Sequence, residues 1–194
     1  MNKINTSLTI CFMGVDGSGK STLIKEIKKK FKIKYLHLRP YFFLTDKRII
    51  IKNPHAPKQT QLVIISFFRL LSWLFIYKFF FYLNSGNKKE LIVFDRYVHD
   101  ILIDPIRYNF NLSKKITKKI LSYFPQPDLW IILNTKPYIA YKRKKEISMN
   151  ETIRQSKEYL KFAKNKKNSI VIDTSRNLKK SISILTKTIN SQHG

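Results

Sequence analysis

The sequence predicts an α/β fold, a five-stranded parallel sheet with helices on both faces, and three observations carry that prediction. Strand and helix signals alternate from one end of the chain to the other. The strand candidates are short, continuous apolar runs, as expected of strands buried on both faces. The first of them runs into a glycine-rich turn and then into an amphipathic helix. With 194 residues and 43% hydrophobic content, the chain suits a single compact domain spanning residues 1–194.

Taken in order, Leu8–Met13 is the first strand. Lys20–Phe31 follows as a helix, with Leu23, Ile24, Ile27 and Phe31 on one face and Lys25, Lys28, Lys29 and Lys30 mostly off it. Lys34–Leu38, Leu91–Phe94, Leu129–Leu133 and Ile170–Ile172 supply the remaining strands. Ser113–Phe124 reads as a helix that Ser113 caps and Pro125 stops. Pro137–Lys145 starts with proline in its first turn. Ser148 and Glu151 have capping-box spacing for a helix reaching about Asn165, and Asn177–Ile189 closes the chain.

Gln61–Leu83 needs a separate weighing. Its 23 residues have the length of a membrane span. Arg69 and Lys78 lie inside it, and each would cost about 2.5–3.5 kcal/mol near a bilayer centre. Gln61, Ser66, Arg69 and Ser72 fall on one stripe, so the expectation is a buried helix whose polar stripe faces a cleft. Peripheral contact of residues 61–83 with a membrane or a partner stays open beside it.

Charge and composition bound the function classes. Lys+Arg total 38 against 12 Asp+Glu, a formal +26. The excess is almost all lysine, with eight arginines and three alanines, as an AT-rich coding sequence would give by itself. A solvated lysine surface and a functional basic surface both remain open. Neither a basic recognition helix nor basic residues interleaved with aromatics on a strand face is visible, so nucleic acid is not expected as a partner. The single cysteine, Cys11, lies in an apolar run, which leaves no disulfide framework and no cysteine metal site. His37, His55, His99 and His193 have no metal-site spacing. The first residues lack the pattern of a secretory leader, which makes the cytoplasm the expected compartment.

Two sites carry chemistry. Gly14-Val15-Asp16-Gly17-Ser18-Gly19-Lys20-Ser21 matches G-x-x-x-x-G-K-[ST] without substitution, between a strand and a helix. Glycines let backbone N–H groups turn around an anion, and the helix N-terminus adds its positive dipole end. Gly14, Asp16, Gly17, Ser18, Gly19, Lys20, Ser21 and Thr22 are thereby the expected cradle for ATP phosphates. Lys20 would reach the β- and γ-phosphates, and Ser21 would offer its hydroxyl to Mg²⁺. The second site is Leu91-Ile92-Val93-Phe94-Asp95-Arg96-Tyr97, a strand that ends in an acid facing Mg²⁺, followed by a cation for phosphates.

The Gly-x-Asp-Gly-Ser-Gly-Lys-Ser-Thr loop, Phe94-Asp95-Arg96-Tyr97, Pro127-Asp128-Leu129 and Val171-Ile172-Asp173 together resemble thymidylate kinase and its relatives over nearly the whole chain. The resemblance implies phosphoryl transfer from Mg·ATP to a small acceptor, with dTMP first, in a homodimer. It places Asp16 near the acceptor nucleotide, Asp95 near the metal, and Arg96 on the acceptor phosphate. Lys142-Arg143-Lys144-Lys145 would begin a short lid near 141–155, with Arg143 on the transferring phosphoryl group and Arg154 as second candidate. Lys20, Asp95, Arg96 and Arg143 are thus the expected catalytic set. Asp16, Arg39, Arg69, Arg96 and Asp100 are the expected acceptor contacts, Arg69 in the family's thymine-edge role.

The acceptor loops depart from the family. His37-Leu38-Arg39-Pro40-Tyr41 stands where Arg-Glu-Pro-Gly-Gly is usual. His99-Asp100 and Asp104-Pro105-Ile106-Arg107-Tyr108 replace a serine and an Ala-Tyr-Gln stretch. Two rival readings accordingly stay open: a kinase of a sugar or lipid-linked intermediate, and a non-catalytic P-loop protein that binds nucleotide or RNA.

Overall fold

The structure, a computed structural model, describes residues 7–38, 62–84 and 90–192. Five parallel strands form one sheet in the order β2-β3-β1-β4-β5, from β1 (Leu8–Met13), β2 (Ile33–His37), β3 (Leu91–Asp95), β4 (Leu129–Asn134) and β5 (Ser169–Asp173). The helices are α1 (Lys20–Lys30), α2 (Val63–Asn84), α3 (Lys114–Leu121), α4 (Pro137–Arg143), α5 (Met149–Lys164) and α6 (Leu178–Ser191). A short 3₁₀ helix, Val98–Leu102, follows β3. The predicted α/β class and all five strands are observed.

Strand alternation explains the two-sided core. Side chains along a strand point to opposite faces in turn. Leu8, Ile10, Phe12, Leu91, Val93, Leu129 and Ile131 therefore share one face, where Leu23, Ile27, Leu185 and Ile189 of α1 and α6 cover them. Cys11, Met13, Ile92, Phe94, Trp130 and Ile132 occupy the other, beneath α2, the 3₁₀ turn, α3 and α5. The central strands β1 and β3 are buried along their whole length, which is why they read as continuous apolar runs. The edge strands β2 and β5 are only partly buried and read more weakly.

Helix starts follow local chemistry. Ser113, Ser148 and Asn177 each accept a backbone N–H from three residues on, relieving one of the unpaired donors of the first turn. Glu151 gives its carboxylate to Arg154 and Gln155, one turn further along α5. At the other end, α3 closes at Leu121, earlier than Pro125 requires, because Tyr123 and Phe124 turn back onto Ile120 and Leu121.

The helix α2 departs from expectation. Ser66, Leu70, Trp73, Tyr77 and Phe80 form its buried stripe. The opposite stripe is apolar too, with Ile64, Phe68, Phe75, Phe79 and Tyr82 between 53% and 76% exposed. By length and composition it could cross a membrane, yet a buried stripe docks it on the sheet. Its polar stripe does not open onto a cleft. Ser66 Oγ accepts the Asn111 amide at 3.0 Å, and Arg69 Nη2 donates to the carbonyls of Tyr108 (2.8 Å) and Asn109 (3.0 Å). Gln61 lies outside the described residues.

Aromatic rings lock α2 to the sheet. Phe94 stacks on Tyr77 at 5.8 Å and on Phe81 at 6.3 Å, and meets Phe80 and Tyr97 edge-on. Each such pair adds about 0.5–1.5 kcal/mol beyond area burial. Phe94→Ala is expected to cost about 3–5 kcal/mol in urea unfolding. A loss below 1 kcal/mol would show that α2 is held elsewhere.

Candidate functional site

The P-loop lies where β1 hands over to α1, and its glycines are required for two different reasons. At Gly17, with φ of 78°, an added Cβ would lie 2.3 Å from the Ala140 carbonyl, so α4 packs directly against bare backbone. At Gly19, with φ of 90°, no atom lies within reach; the left-handed backbone that starts α1 is itself the constraint. Thr135 and Thr174 hydroxyls both donate to the Ser18 carbonyl, at 3.2 and 2.8 Å, tying the loop to the ends of β4 and β5. Beside it lies a cleft of 530 Å³, walled by the first turn of α1, by Arg143 and Lys144, and by Thr174 and Arg176.

Lys20 folds back over this loop, its Nζ donating to the carbonyls of Gly14 at 2.7 Å and Val15 at 2.9 Å. Across the sheet, Arg96 follows β3 with a left-handed φ of 72°, a conformation that costs a non-glycine residue about 1–3 kcal/mol. Its amide donates to the Phe12 carbonyl at 2.9 Å, which holds that backbone against β1. Its guanidinium is buried between two carboxylates, with Nη2 at 2.6 Å from Asp16 and Nη1 at 2.5 Å from Asp100. The fold thus brings together Asp16, Lys20, Asp95 and Arg96, four residues from two motifs 80 positions apart.

Each charge responds to that setting. Burial would raise the Asp16 carboxyl, but Arg96, Lys20 and Arg107 outweigh it and hold the group far below its usual range. Asp95 is also lowered: burial opposes ionisation, and His37, Lys20 and Arg96 more than offset it. Tyr35 donates to Asp95 Oδ2 at 3.1 Å, while Oδ1 is buried with no hydrogen-bond partner among the described residues. Arg143 sits at the mouth, with Nη1 3.3 Å from the Gly17 carbonyl and Nη2 3.4 Å from that of Thr174. Arg154 instead holds Glu151 and the Ile103 carbonyl.

Two expected acceptor contacts come out differently, and a third falls outside the described residues. Asp100 is wholly buried, and its carboxylate receives Arg96, Tyr108 and Tyr159. It holds Arg96 in place and presents no surface to a ligand. Arg69 braces the Tyr108–Asn109 turn with the hydrogen bonds given above, behind the site. Arg39 lies outside the described residues. His99 belongs to an aromatic interior of Tyr97, Trp130 and Phe162, where burial pushes its imidazole down to about 3.

Some of the site was missed from sequence. Arg107 Nη2 pairs with Asp16 and lies 3.4 Å from Glu146, while its Nε lies 3.3 Å from Asp104. Tyr159 comes from α5, with no motif around it. Asp128, quoted for the family resemblance, accepts the Thr9 amide at 2.7 Å and joins the start of β4 to β1.

Burial and the nearby Arg96 charge push the Lys20 ammonium down to about 7. The folded value lies below the unfolded one of about 10.4, so unfolding takes up a proton between the two. Charged Lys20 therefore opposes folding most at low pH, and that cost shrinks as pH rises. Lys20→Met is expected to gain more stability at about pH 6 than at about pH 9, by roughly 3 kcal/mol. Urea unfolding at both pH values checks this; equal gains would mean that the buried amine stays charged throughout.

No protein-family model matches the chain. The probable thymidylate kinase of Sulfurisphaera tokodaii is 29% identical over 178 residues, covering 84% of this chain and 86% of that protein. The Candida albicans thymidylate kinase structure superposes with a TM-score of 0.64 at 15% identity, over 96% of this chain and 92% of that one. A deoxyadenosine kinase structure from M. mycoides, with dCMP and dCDP bound, also gives 0.64, at 18% identity over 95% and 100% of the two chains. Over most of its length the chain is similar in sequence to probable thymidylate kinases, and it shares its fold with thymidylate and deoxyadenosine kinase structures.

Proposed function

We propose that the protein transfers the γ-phosphoryl group of ATP to a nucleoside monophosphate, with dTMP as the first acceptor. The observation that carries the reading is the meeting of two phosphate-directed devices at the carboxyl ends of β1 and β3. One is the loop around Lys20, the other the buried Arg96 guanidinium. The likeness to thymidylate kinases over most of the chain supports the same assignment.

The residues present fit ATP and Mg²⁺. Gly14–Thr22 frame the phosphate cradle, and the cleft beside it takes the rest of the nucleotide. Ser21 and Asp95 would hold the metal, and the unpartnered Asp95 Oδ1 fits a ligand or a metal-bound water there. When bound, Mg²⁺ would supply charge neutralisation for the transferring phosphoryl group.

Within this reading the chain's own groups mainly position. Lys20 leaves the loop carbonyls for the phosphates, and Arg96 grips the acceptor phosphate. Arg143 neutralises charge on the group in flight, from a lid near 141–155 that closes the single domain. A cytoplasmic enzyme is the setting this chemistry implies. Radiolabelled ATP offered with a panel of nucleoside monophosphates, nucleosides and sugars is expected to label dTMP, and Lys20→Met to lower the rate at least about 100-fold. Labelling of a sugar alone would favour the reading as a kinase of a sugar or lipid-linked intermediate. Tight nucleotide binding without any transfer would favour a non-catalytic one.

The exposed apolar stripe of α2 also supports a homodimer, with two copies of the helix face to face. Analytical ultracentrifugation is expected to give a dimer, and Phe75→Glu with Phe79→Glu a monomer. A monomeric wild-type protein that binds anionic vesicles would replace this with the peripheral-membrane reading.

A further inference from the structure

We infer that Arg107 is a second acceptor-side phosphate ligand and a specificity-determining residue, in a position that no P-loop or Asp-Arg motif marks. The inference rests on the nucleotide-kinase reading and adds a residue to it. Asp16 is the key. One of its carboxylate oxygens meets Arg96 Nη2 and the other meets Arg107 Nη2. Two guanidiniums that converge on adjacent oxygens of one anion are spaced to grip two oxygens of a phosphate in the same way. The P-loop carboxylate of Asp16 lies between the two guanidiniums.

Arg107 is built to present that edge. Asp104, itself 2% exposed, accepts both the backbone amide of Arg107 at 3.2 Å and its Nε at 3.3 Å, fixing the guanidinium from behind. The turn that carries it is pinned from below. Arg69 holds the carbonyls of the two following residues, and Asn109 adopts the left-handed φ of 46° that the turn requires. A side chain locked by neighbours in this way has little entropy to lose on binding an anion.

A purely structural ion pair would need one carboxylate, and Arg107 meets three. The third, Glu146, belongs to the loop between α4 and α5 and also pairs with Lys144 at 2.8 Å. Arg107 therefore stands where the P-loop, the acceptor loop and the expected lid adjoin, and only the Asp104 contact comes from its own turn.

The test compares a phosphorylated acceptor with its unphosphorylated counterpart. Arg107→Gln is expected to raise KM for dTMP about 10- to 100-fold, the loss of one charge-assisted contact. KM for ATP and the Ki of thymidine as competitor should stay within about twofold. Arg107→Lys, which keeps the charge and loses the fork, is expected to fall between wild type and Arg107→Gln. An unchanged KM for dTMP in Arg107→Gln overturns the inference. So does a parallel rise in dTMP KM and thymidine Ki, which would mean that Arg107 only shapes the pocket. If the wild-type protein labels no nucleoside monophosphate, the proposed function itself falls and this assignment with it.

Discussion

A guanidinium cannot be buried in this fold without carboxylates around it, and the placement of Arg96 organises much of what surrounds it. A charge taken out of water costs several kcal/mol unless it is paired and its hydrogen-bonding groups are met. Asp100 meets that demand from within the interior, helped by the hydroxyls of Tyr108 and Tyr159. Burial and the Asp100 charge hold both phenols far above their ordinary range, so they remain donors. Asp16 meets the other edge from the P-loop. One side chain thereby ties together β3, the segment 100–108, α5 and the P-loop.

The same demand accounts for the distribution of charge. The chain holds 12 acidic residues against 38 basic ones, yet Asp16, Asp95, Asp100, Asp104 and Glu146 gather around three buried or half-buried cations. Most lysines lie on exposed helix faces, as in α1 and α3. Arginine is spent differently. Arg69, Arg96, Arg107, Arg143 and Arg154 all make directed hydrogen bonds to carbonyls or carboxylates, with the several donors of one planar guanidinium aimed at separate acceptors in fixed directions. In a chain so rich in lysine, the positions that carry arginine are the informative ones.

α2 shows how one helix serves two surfaces. Its aromatic stripe locks against Phe94 and Tyr97, while Ser66 and Arg69 reach past it to hold the backbone of residues 108–111. The segment 108–111 is thus braced by a helix far from it in sequence. The outward apolar stripe contributes nothing to that brace, so a partner surface could change without disturbing the site.

The sequence by itself determined the class of fold, the five strands, the glycine-rich loop between β1 and α1 and the Asp95-Arg96 step at the end of β3. These are local signals: apolar runs of strand length, cap residues, glycines at fixed spacing, and a strand that ends in an acid. It could not assign Asp100, Arg69 or Arg107. Asp100 reads like a ligand residue beside a motif, and only the packing of Tyr108 and Tyr159 over it reveals a buried counter-ion. Arg69 reads as one polar residue on an apolar helix, and its partners are carbonyls some 40 positions away, which no spacing encodes. Arg107 stands in a loop with no recognisable pattern, and its meaning depends on Asp16, 91 residues earlier. Tertiary structure decided these roles because each rests on long-range convergence of charges, and a charge acquires its function from the groups that surround it.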